Sequence, residues 1–576
     1  MLQICTGKLF SKDIEYRNNL KGIIYTNLKL LRDEKIQTKA GSIVYAENAS
    51  SPNTVIYEIE ELIEESESKP GLLISHGINS LILDFSAILS FALNCTASPS
   101  HSLTERLLSE QEGVSTQRSP NKMFKTVFDK NIFCSEESQK FFINFTNHLI
   151  GLERKTYIGV MSSIRTYVTG MHRIADDFEL AYTLLVASIE SLAQNFDGHQ
   201  STWEDYDQNK KKIIDEALKG CEEDISVKVR EAILSIEHTS LRKRFQAFAL
   251  EHVSPTFFRE EADFAINPIS RLDLPTALNN AYQARSKYVH NLIKLPKQLT
   301  LAKYSEFCII KDKRWLTLQG LSRLARHVII QFVMKQETVE NEPYDYSLER
   351  SNILQVHLAP QYWIAAPDFS EGAGIQKLEG FLSQLKECLT NTPNASVTDL
   401  TNVLDEFESR IDTLKQVDKK AFLALYILYN AYLNKSFENR EVRVKKVKRF
   451  IAKHENKISN PCVEGLIVTS LLTLPFEWNI EVHDKYLKQY FRERDKKLKI
   501  RCPDIFESGM ILQLAERYRE AGNAKKALEL IEMAVENLPS HQGLRHFEIE
   551  YKQQPQPIDS KEILFPKNEE IIRLPS

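Results

Sequence analysis

The spacing of apolar residues changes character near residue 155. Before that point, three short runs rich in β-branched and aromatic residues read as strands, and they are "KGIIYTNLKLL", "GSIVYAE" and "NTVIYEIEELI". Gly, Asn, Ser and Pro separate them, as turns require. The run "SLILDFSAILSFALN" predicts a buried helix, and "TASPSHSLTERLLSEQEGVSTQRSPNK" predicts a long surface loop. We therefore predict a mixed α/β domain, with a sensor or regulatory role, over residues 1–155.

Helical spacing dominates after that point. In "DDFELAYTLLVASIESLAQNF" apolar residues recur every three or four positions, and two aspartates suit the helix start. Comparable patterns predict helices in "NKKKIIDEALKGC", "SVKVREAILSI", "SLRKRFQAFALEHV", "LDLPTALNNAYQARSKYVHNLI" and "TLQGLSRLARHVIIQFV". Together they predict a helical bundle over residues 156–336.

A polar linker, predicted over 337–375, precedes a helical region over 376–576. Within that region, residues 508–541 fit the tetratricopeptide frame of about 34 residues, with Gly522 ending the first helix. Seven positions agree with that frame: Leu514, Ala515, Tyr518, Ala527, Ile531, Ala534 and Pro539. One repeat cannot bury its own apolar face, so we expect degenerate neighbours upstream. The alternative is a helical hairpin that closes the domain. The predicted fold class is α+β, mainly α.

Composition narrows the possibilities. A chain of 576 residues is too long for one core, and a net charge of −4 gives no overall attraction to nucleic acid or an anionic membrane. The apolar window 71–95 carries polar and charged residues, so we predict no membrane span, and the N-terminus lacks a secretory pattern. The eight cysteines are scattered singly, which argues against a zinc site or disulfides and favours a cytoplasmic protein.

The familiar cofactor and catalytic motifs are absent. The chain contains no G-x-x-x-x-G-K-[ST], G-x-G-x-x-G, H-E-x-x-H or G-x-S-x-G, so we expect no cofactor and no metal. The remaining candidate is Arg285 with His290 in "NNAYQARSKYVHNL". An imidazole suits proton transfer near neutral pH, and a guanidinium binds phosphate oxygens while remaining charged. The simpler alternative is that both residues belong to an ordinary helix.

Helix geometry constrains this pair. Five residues rotate by about 140° along an ideal helix, so Arg285 and His290 do not share a face. We therefore expect a second subunit to complete the site.

The order of "LLVASIESLAQNF", "ALNNAYQARSKYVHNL" and "LTLQGLSRLARHVIIQFV" resembles the Apea-like branch of the HEPN superfamily over about residues 176–333. Glu190 stands where that family has a glutamate, and Arg285 to His290 match its R-x4-H signature, followed here by Asn291. Ser286 departs from the Asn, Asp or His that many active members have after the arginine.

This resemblance implies a helical bundle that often dimerises and cuts RNA without metal. The expected function is a HEPN-type endoribonuclease acting on RNA, possibly tRNA, by 2′-hydroxyl attack in a bacterial antiphage or toxin context. Arg285 and His290 are its expected catalytic residues, supported by Glu190, Ser286 and Asn291. The expected partners are RNA, a second copy of the chain, and a protein bound by the repeats. The alternative is a non-catalytic scaffold or an RNA-binding interaction protein.

Weaker candidates surround this core. The weak RNA-binding predictions are Lys287, Tyr288, Arg242, Arg244 and His238. The simpler interpretation is a charged helix face for the basic residues and a core position for the tyrosine. The basic run 440–454 is as well explained by RNA contact as by a solvated face with salt bridges. His327 is expected to be a satisfied core histidine. Glu190 on an apolar helix needs a partner, and Arg285 is the one we expect.

Overall fold

The computed structural model describes most of the chain. It covers residues 1–47, 51–65, 76–112, 118–124, 126–196, 202–203, 206, 208–236, 241–301, 304–349, 356–433, 440–454 and 456–566. The chain divides into two compact units, Met1–Gln355 (unit 1) and Val356–Ser576 (unit 2). The fold is α+β and mainly helical, as the sequence predicts.

The strands are confined to unit 1 within the described part of the chain. They are β1 (Ile14–Thr26), β2 (Leu28–Lys29), β3 (Lys35–Thr38), β4 (Gly41–Tyr45), β5 (Asn53–Glu64), β6 (Ala97–Ser98), β7 (Ile132–Phe133), β8 (Phe307–Ile310) and β9 (Lys313–Leu316). Five form an antiparallel sheet in the order β3-β4-β5-β1-β6, whereas β2 pairs with β7 in parallel and β8 with β9 as a hairpin. The three predicted strand regions are confirmed.

The helices of unit 1 carry the candidate site. They are α1 (Leu2–Cys5), α2 (Ile78–Leu93), α3 (His101–Leu108), α4 (Pro120–Met123), α5 (Glu136–Gly151), α6 (Arg154–Arg173), α7 (Phe178–Phe196), α8 (Gln208–Ala217), α9 (Glu223–Ile236), α10 (Leu241–Glu251), α11 (Leu274–Asn291), α12 (Lys297–Leu301) and α13 (Leu318–Lys335). The bounds confirm each predicted helix of this region. Pro275 lies in the first turn of α11, where its missing N–H costs nothing.

The long surface loop predicted for residues 96–122 is wrong in part. Residues 101–108 form α3, because the Ser100 hydroxyl accepts a hydrogen bond from the Leu103 N–H and so caps the helix start. Leu107 and Leu108 are buried on the inner face of that helix. A helix of only two turns between polar flanks gives a weak periodic signal, which is why the sequence favoured a loop.

The sheet and the helical bundle share one hydrophobic core, which runs without interruption from Leu2 to Val333. Helix α2 is the bridge, because Phe85 stacks on Tyr57 of β5 at 4.1 Å while Phe91 meets Tyr167 of α6 at 5.2 Å. The division between the two compact units lies at residues 355 and 356, inside the predicted linker. The change in apolar spacing near residue 155 falls within unit 1.

Within the described residues of unit 2, the regular secondary structure consists of helices. Its helices are α14 (Ala373–Leu389), α15 (Thr401–Arg410), α16 (Gln416–Leu433), α17 (Arg440–His454), α18 (Asn456–Ser459), α19 (Val463–Leu471), α20 (Ile480–Glu493), α21 (Asp504–Glu520), α22 (Ala524–Asn537), α23 (Gln542–Gln553) and α24 (Ser560–Leu564). Helices α21 and α22 form the hairpin expected for the repeat-like segment, and Gly522 turns between them with φ of +78°. No helix among the described residues has both the length and the apolar composition needed to cross a membrane.

Candidate active site on helices α7 and α11

Glu190 and Arg285 form an ion pair between two packed helices. Glu190 lies on α7, and its Oε2 is 2.6 Å from Nη2 of Arg285 on α11. The Glu190 side chain is 4% exposed and that of Arg285 is 21% exposed. A carboxylate buried to this degree is costly without a cation or hydrogen bonds, so Arg285 supplies what the apolar helix around Glu190 lacks. The structure thus contains the pairing that the sequence predicts.

Tyr282 completes the arrangement, and sequence reasoning missed it. Its hydroxyl donates to Glu190 Oε1 at 3.0 Å, and the Arg285 guanidinium lies 5.7 Å from the centre of its ring. Both carboxylate oxygens of Glu190 therefore have a partner. Burial, together with the charge and hydrogen bond of Glu190, raises the pKa of Tyr282 to about 12. Its position three residues before Arg285, on the same helix face, was the available signal.

Arg285 retains hydrogen-bonding capacity beyond Glu190. Its Nε is buried and has no hydrogen-bond partner among the described residues, while Nη2 binds Glu190. A guanidinium carries five N–H donors, so one ion pair leaves most of them available. Unsatisfied buried donors are uncommon in native proteins.

His290 lies apart from this pair. It is exposed in the last turn of α11, and no ion pair or hydrogen bond ties it to any residue in the described ranges. The helix ends at Asn291, where Leu292 adopts a left-handed conformation with φ of 53°. Arg285 faces α7 and His290 faces solvent, as the rotation along α11 requires.

The neighbouring candidate residues on α11 differ in how exposed they are. Lys287 and Asn291 are exposed, and Ser286 is half-buried. Tyr288 is also half-buried, and burial together with the negative charge of Asp177 raises its pKa. Tyr288 is not among the buried core residues that the structure describes, so its interpretation as a core tyrosine is not confirmed, and its RNA-binding role stays a prediction.

The two arginines of α10 have different surroundings. Arg242 is exposed, and its RNA-binding role stays a prediction. Arg244 donates to the backbone oxygen of Gln194 at 3.0 Å and so holds the end of α7. His238 lies outside the described residues.

The remaining candidates have structural partners. Nδ1 of His327 is 2.8 Å from Glu261 Oε1, and its Nε2 accepts from the Ser254 N–H at 3.0 Å. His327 is therefore a satisfied core histidine. In the basic helix α17, Lys446 forms ion pairs with Asp405 and Glu408 at 2.7 and 3.1 Å. Part of that basic run thus serves packing between helices.

We expect unequal costs from breaking the ion pair. Arg285→Ala leaves a buried carboxylate with only Tyr282, whereas Glu190→Gln leaves a partly exposed guanidinium and an amide that still accepts from Tyr282. We expect about 2–3 kcal/mol of lost stability for Arg285→Ala and about 1–2 kcal/mol for Glu190→Gln. Urea unfolding of the full chain measures both. The double variant should be more stable than Arg285→Ala alone, and a double variant that is no more stable would contradict direct pairing.

Comparisons with protein-family models, with curated proteins and with solved structures find no match to this chain.

Proposed function

We propose that the protein is a HEPN-type endoribonuclease that cuts RNA without a metal ion. One observation carries the proposal: Glu190 of α7 holds Arg285 of α11 at 2.6 Å, and the same helix presents exposed His290 in its last turn. The resemblance to HEPN proteins implies this combination. A glutamate, an arginine and a histidine scattered on unrelated helices would not support it.

The chemistry needs only proton transfer and a cation. One imidazole removes the proton from the ribose 2′-hydroxyl, whose oxygen attacks the adjacent phosphorus. The bond from phosphorus to the 5′-oxygen then breaks, and an imidazolium gives that oxygen a proton. The products are a 2′,3′-cyclic phosphate and a 5′-hydroxyl. Arg285 would stabilise the extra negative charge of the pentavalent phosphorus.

Two copies of the chain supply what one lacks. One imidazole cannot be base and acid for opposite oxygens in one step, and His290 does not face Arg285 in a single chain. Val289, Leu292 and Ile293 are exposed apolar residues beside His290. A second copy covering them would bring two histidines to one cleft, and burying such residues favours association. We therefore propose a homodimer or a higher homo-oligomer.

The rest of the chain would control the nuclease. In the hairpin of α21 and α22, five of the seven tetratricopeptide positions are buried: Leu514, Ala515, Ala527, Ile531 and Ala534. Stacked repeats of this kind present surfaces for protein partners. We propose that unit 2 binds a protein partner, that the sheet of unit 1 senses a signal, and that the setting is a cytoplasmic defence or toxin system. tRNA is one class of RNA that such an enzyme would cut.

A non-catalytic role in RNA binding or scaffolding is the second candidate. The same ion pair favours the scaffolding form of this role, because Glu190 neutralises Arg285 and the arginine side chain is mostly buried. A guanidinium used in this way stabilises the bundle and contributes less to phosphate binding. The two candidates differ in whether RNA is cut.

RNA cleavage in EDTA tests the proposal. The purified full chain is incubated with total RNA in excess EDTA, alone and with lysate from phage-infected cells as a source of activating signals. We expect fragments with 5′-hydroxyl ends, which polynucleotide kinase labels without prior phosphatase treatment, because attack by the 2′-oxygen leaves no phosphate there. Intact RNA under both conditions, or fragments with 5′-phosphate ends, would contradict the proposal. Binding without cutting would favour the second candidate.

A further inference from the structure

Three metal-ligating side chains meet in unit 1, far from the Glu190 pair in sequence. Cys5 ends α1, Glu61 lies on β5, and His76 stands two residues before α2. Nδ1 of His76 is 2.9 Å from Glu61 Oε1 and 3.9 Å from the Cys5 sulfur, and the ligand atoms of all three lie within 4.8 Å of one another. The described part of the chain holds one such group of three or more His, Cys, Asp or Glu residues.

These side chains are withdrawn from water. Cys5 and Glu61 are fully buried, and the His76 side chain is 4% exposed. The other ring nitrogen of His76, Nε2, is also buried and has no hydrogen-bond partner among the described residues. The polar contacts of this ring are on Nδ1, which faces a carboxylate oxygen and a sulfur atom.

We propose that Cys5, Glu61 and His76 bind one Zn²⁺ ion. Zinc takes a thiolate sulfur at about 2.3 Å, an imidazole nitrogen at about 2.0–2.1 Å and a carboxylate oxygen at about 2.0–2.2 Å. In a tetrahedron those bonds separate nitrogen from oxygen by about 3.4 Å and nitrogen from sulfur by about 3.6 Å. The observed separations, 2.9 and 3.9 Å, differ by a few tenths of an ångström. Small rotations of the side chains therefore suffice.

Charge and softness both favour zinc over magnesium or calcium. The ligand set contains a sulfur, which hard cations avoid, and an imidazole, which zinc prefers. Binding converts the Cys5 thiol to a thiolate, and the released proton passes to solvent. A doubly charged ion then offsets a buried thiolate and a buried carboxylate, leaving the site neutral. A water or the second Glu61 oxygen would complete four ligands.

The surroundings of the site indicate a structural ion. Glu61 Oε2 accepts from Asn18 Nδ2 at 3.3 Å, which orients the carboxylate from the neighbouring strand β1. The three ligands join α1, the sheet and the approach to α2, so the ion would fasten the first helix onto the sheet. Full burial excludes substrate access, which separates this site from a catalytic cysteine and histidine pair. The site is also independent of Arg285 and His290.

Metal content of the full chain tests this inference. The protein is produced without an affinity tag in zinc-supplemented medium, passed over a chelating resin and analysed by inductively coupled plasma mass spectrometry. We expect about one zinc per chain for the wild type and for Cys221→Ser, which changes an exposed cysteine. Cys5→Ser and His76→Ala should fall to background. Full zinc retention by Cys5→Ser would overturn the proposal.

A second measurement covers the case in which these variants do not fold. Wild-type protein refolded with Co²⁺ should show the near-ultraviolet band of a thiolate bound to cobalt. Glu61→Gln keeps the size of the side chain and one acceptor oxygen but replaces the second oxygen with an NH2 group, and it should weaken zinc retention at least tenfold. A wild type with neither zinc nor the cobalt band would also overturn the proposal. None of these readouts depends on RNA cleavage, so failure of the zinc proposal leaves the nuclease proposal untouched.

Discussion

Replacing His290 by alanine is expected to lower the rate of RNA cleavage by about 10²- to 10⁴-fold, the usual contribution of a positioned acid or base. The physical reason is that an imidazole can both accept and donate a proton near neutral pH, and His290 is the imidazole at the exposed end of α11. His290 makes no hydrogen bond or ion pair with a described residue, so its removal should leave stability nearly unchanged. The measurement is the initial rate of cutting in EDTA, with circular dichroism as a check on folding.

His546→Ala is the matched control for this prediction. It removes another exposed histidine, in unit 2, whose ring pairs with Glu550 at 3.2 Å. Its rate should remain within about twofold of the wild type, since exposed pairs contribute little. Equal rates for His290→Ala and the wild type would move the active site elsewhere.

Mixing chains extends the same test to the proposed dimer. Wild type mixed with an excess of His290→Ala is expected to lose more cleavage than dilution explains, because a mixed dimer holds one imidazole where the proposed step needs two. A mixture shown by mass spectrometry to contain mixed dimers, yet as active as its wild-type chains alone, would contradict a site shared between copies.

The sequence predicted the helices of the candidate site because their apolar faces are long and regular. Helices α7 and α11 each span about five turns, enough for a spacing of three and four to stand out. The Glu190 pairing followed from a different principle, the cost of burying a carboxylate alone. The apolar spacing and the cost of a buried charge were sufficient to predict this pair, since both partners face each other across one helix contact.

Contacts between distant segments were harder to predict. Cys5, Glu61 and His76 carry no short spacing motif, and they meet because β5 pairs with β1 and α1 packs beside the sheet. The single cysteines argued against zinc only because motif spacing assumes ligands on neighbouring turns. The unbroken core across residue 155 had a sequence signal, however. Helix α2 is apolar nearly all round, which indicates a helix covered on both sides.

Unit 2 contains a buried charged network that should be sensitive to a single substitution. Glu507, on α21, is fully buried and accepts from the Tyr490 hydroxyl of α20 at 2.6 Å. Its other oxygen pairs with Arg494 and accepts from Asn537 of α22 at 3.3 Å. Three helices therefore meet at one carboxylate. Removing the carboxylate of such a network lowers stability strongly, because every partner loses its hydrogen bond or ion pair.

Glu507→Ala is expected to destabilise unit 2 by about 2–4 kcal/mol, since it leaves Tyr490 without an acceptor and Arg494, only 20% exposed, without its partner. The measurement is hydrogen exchange of the full chain followed by mass spectrometry, in which peptides from α20, α21 and α22 should exchange faster. Glu529→Ala, which breaks an exposed pair with Lys526 on the same hairpin, should exchange like the wild type. Unchanged exchange in Glu507→Ala would mean that apolar packing alone holds the hairpin. Faster exchange would identify Glu507 as the residue that fixes the proposed partner-binding surface in one conformation.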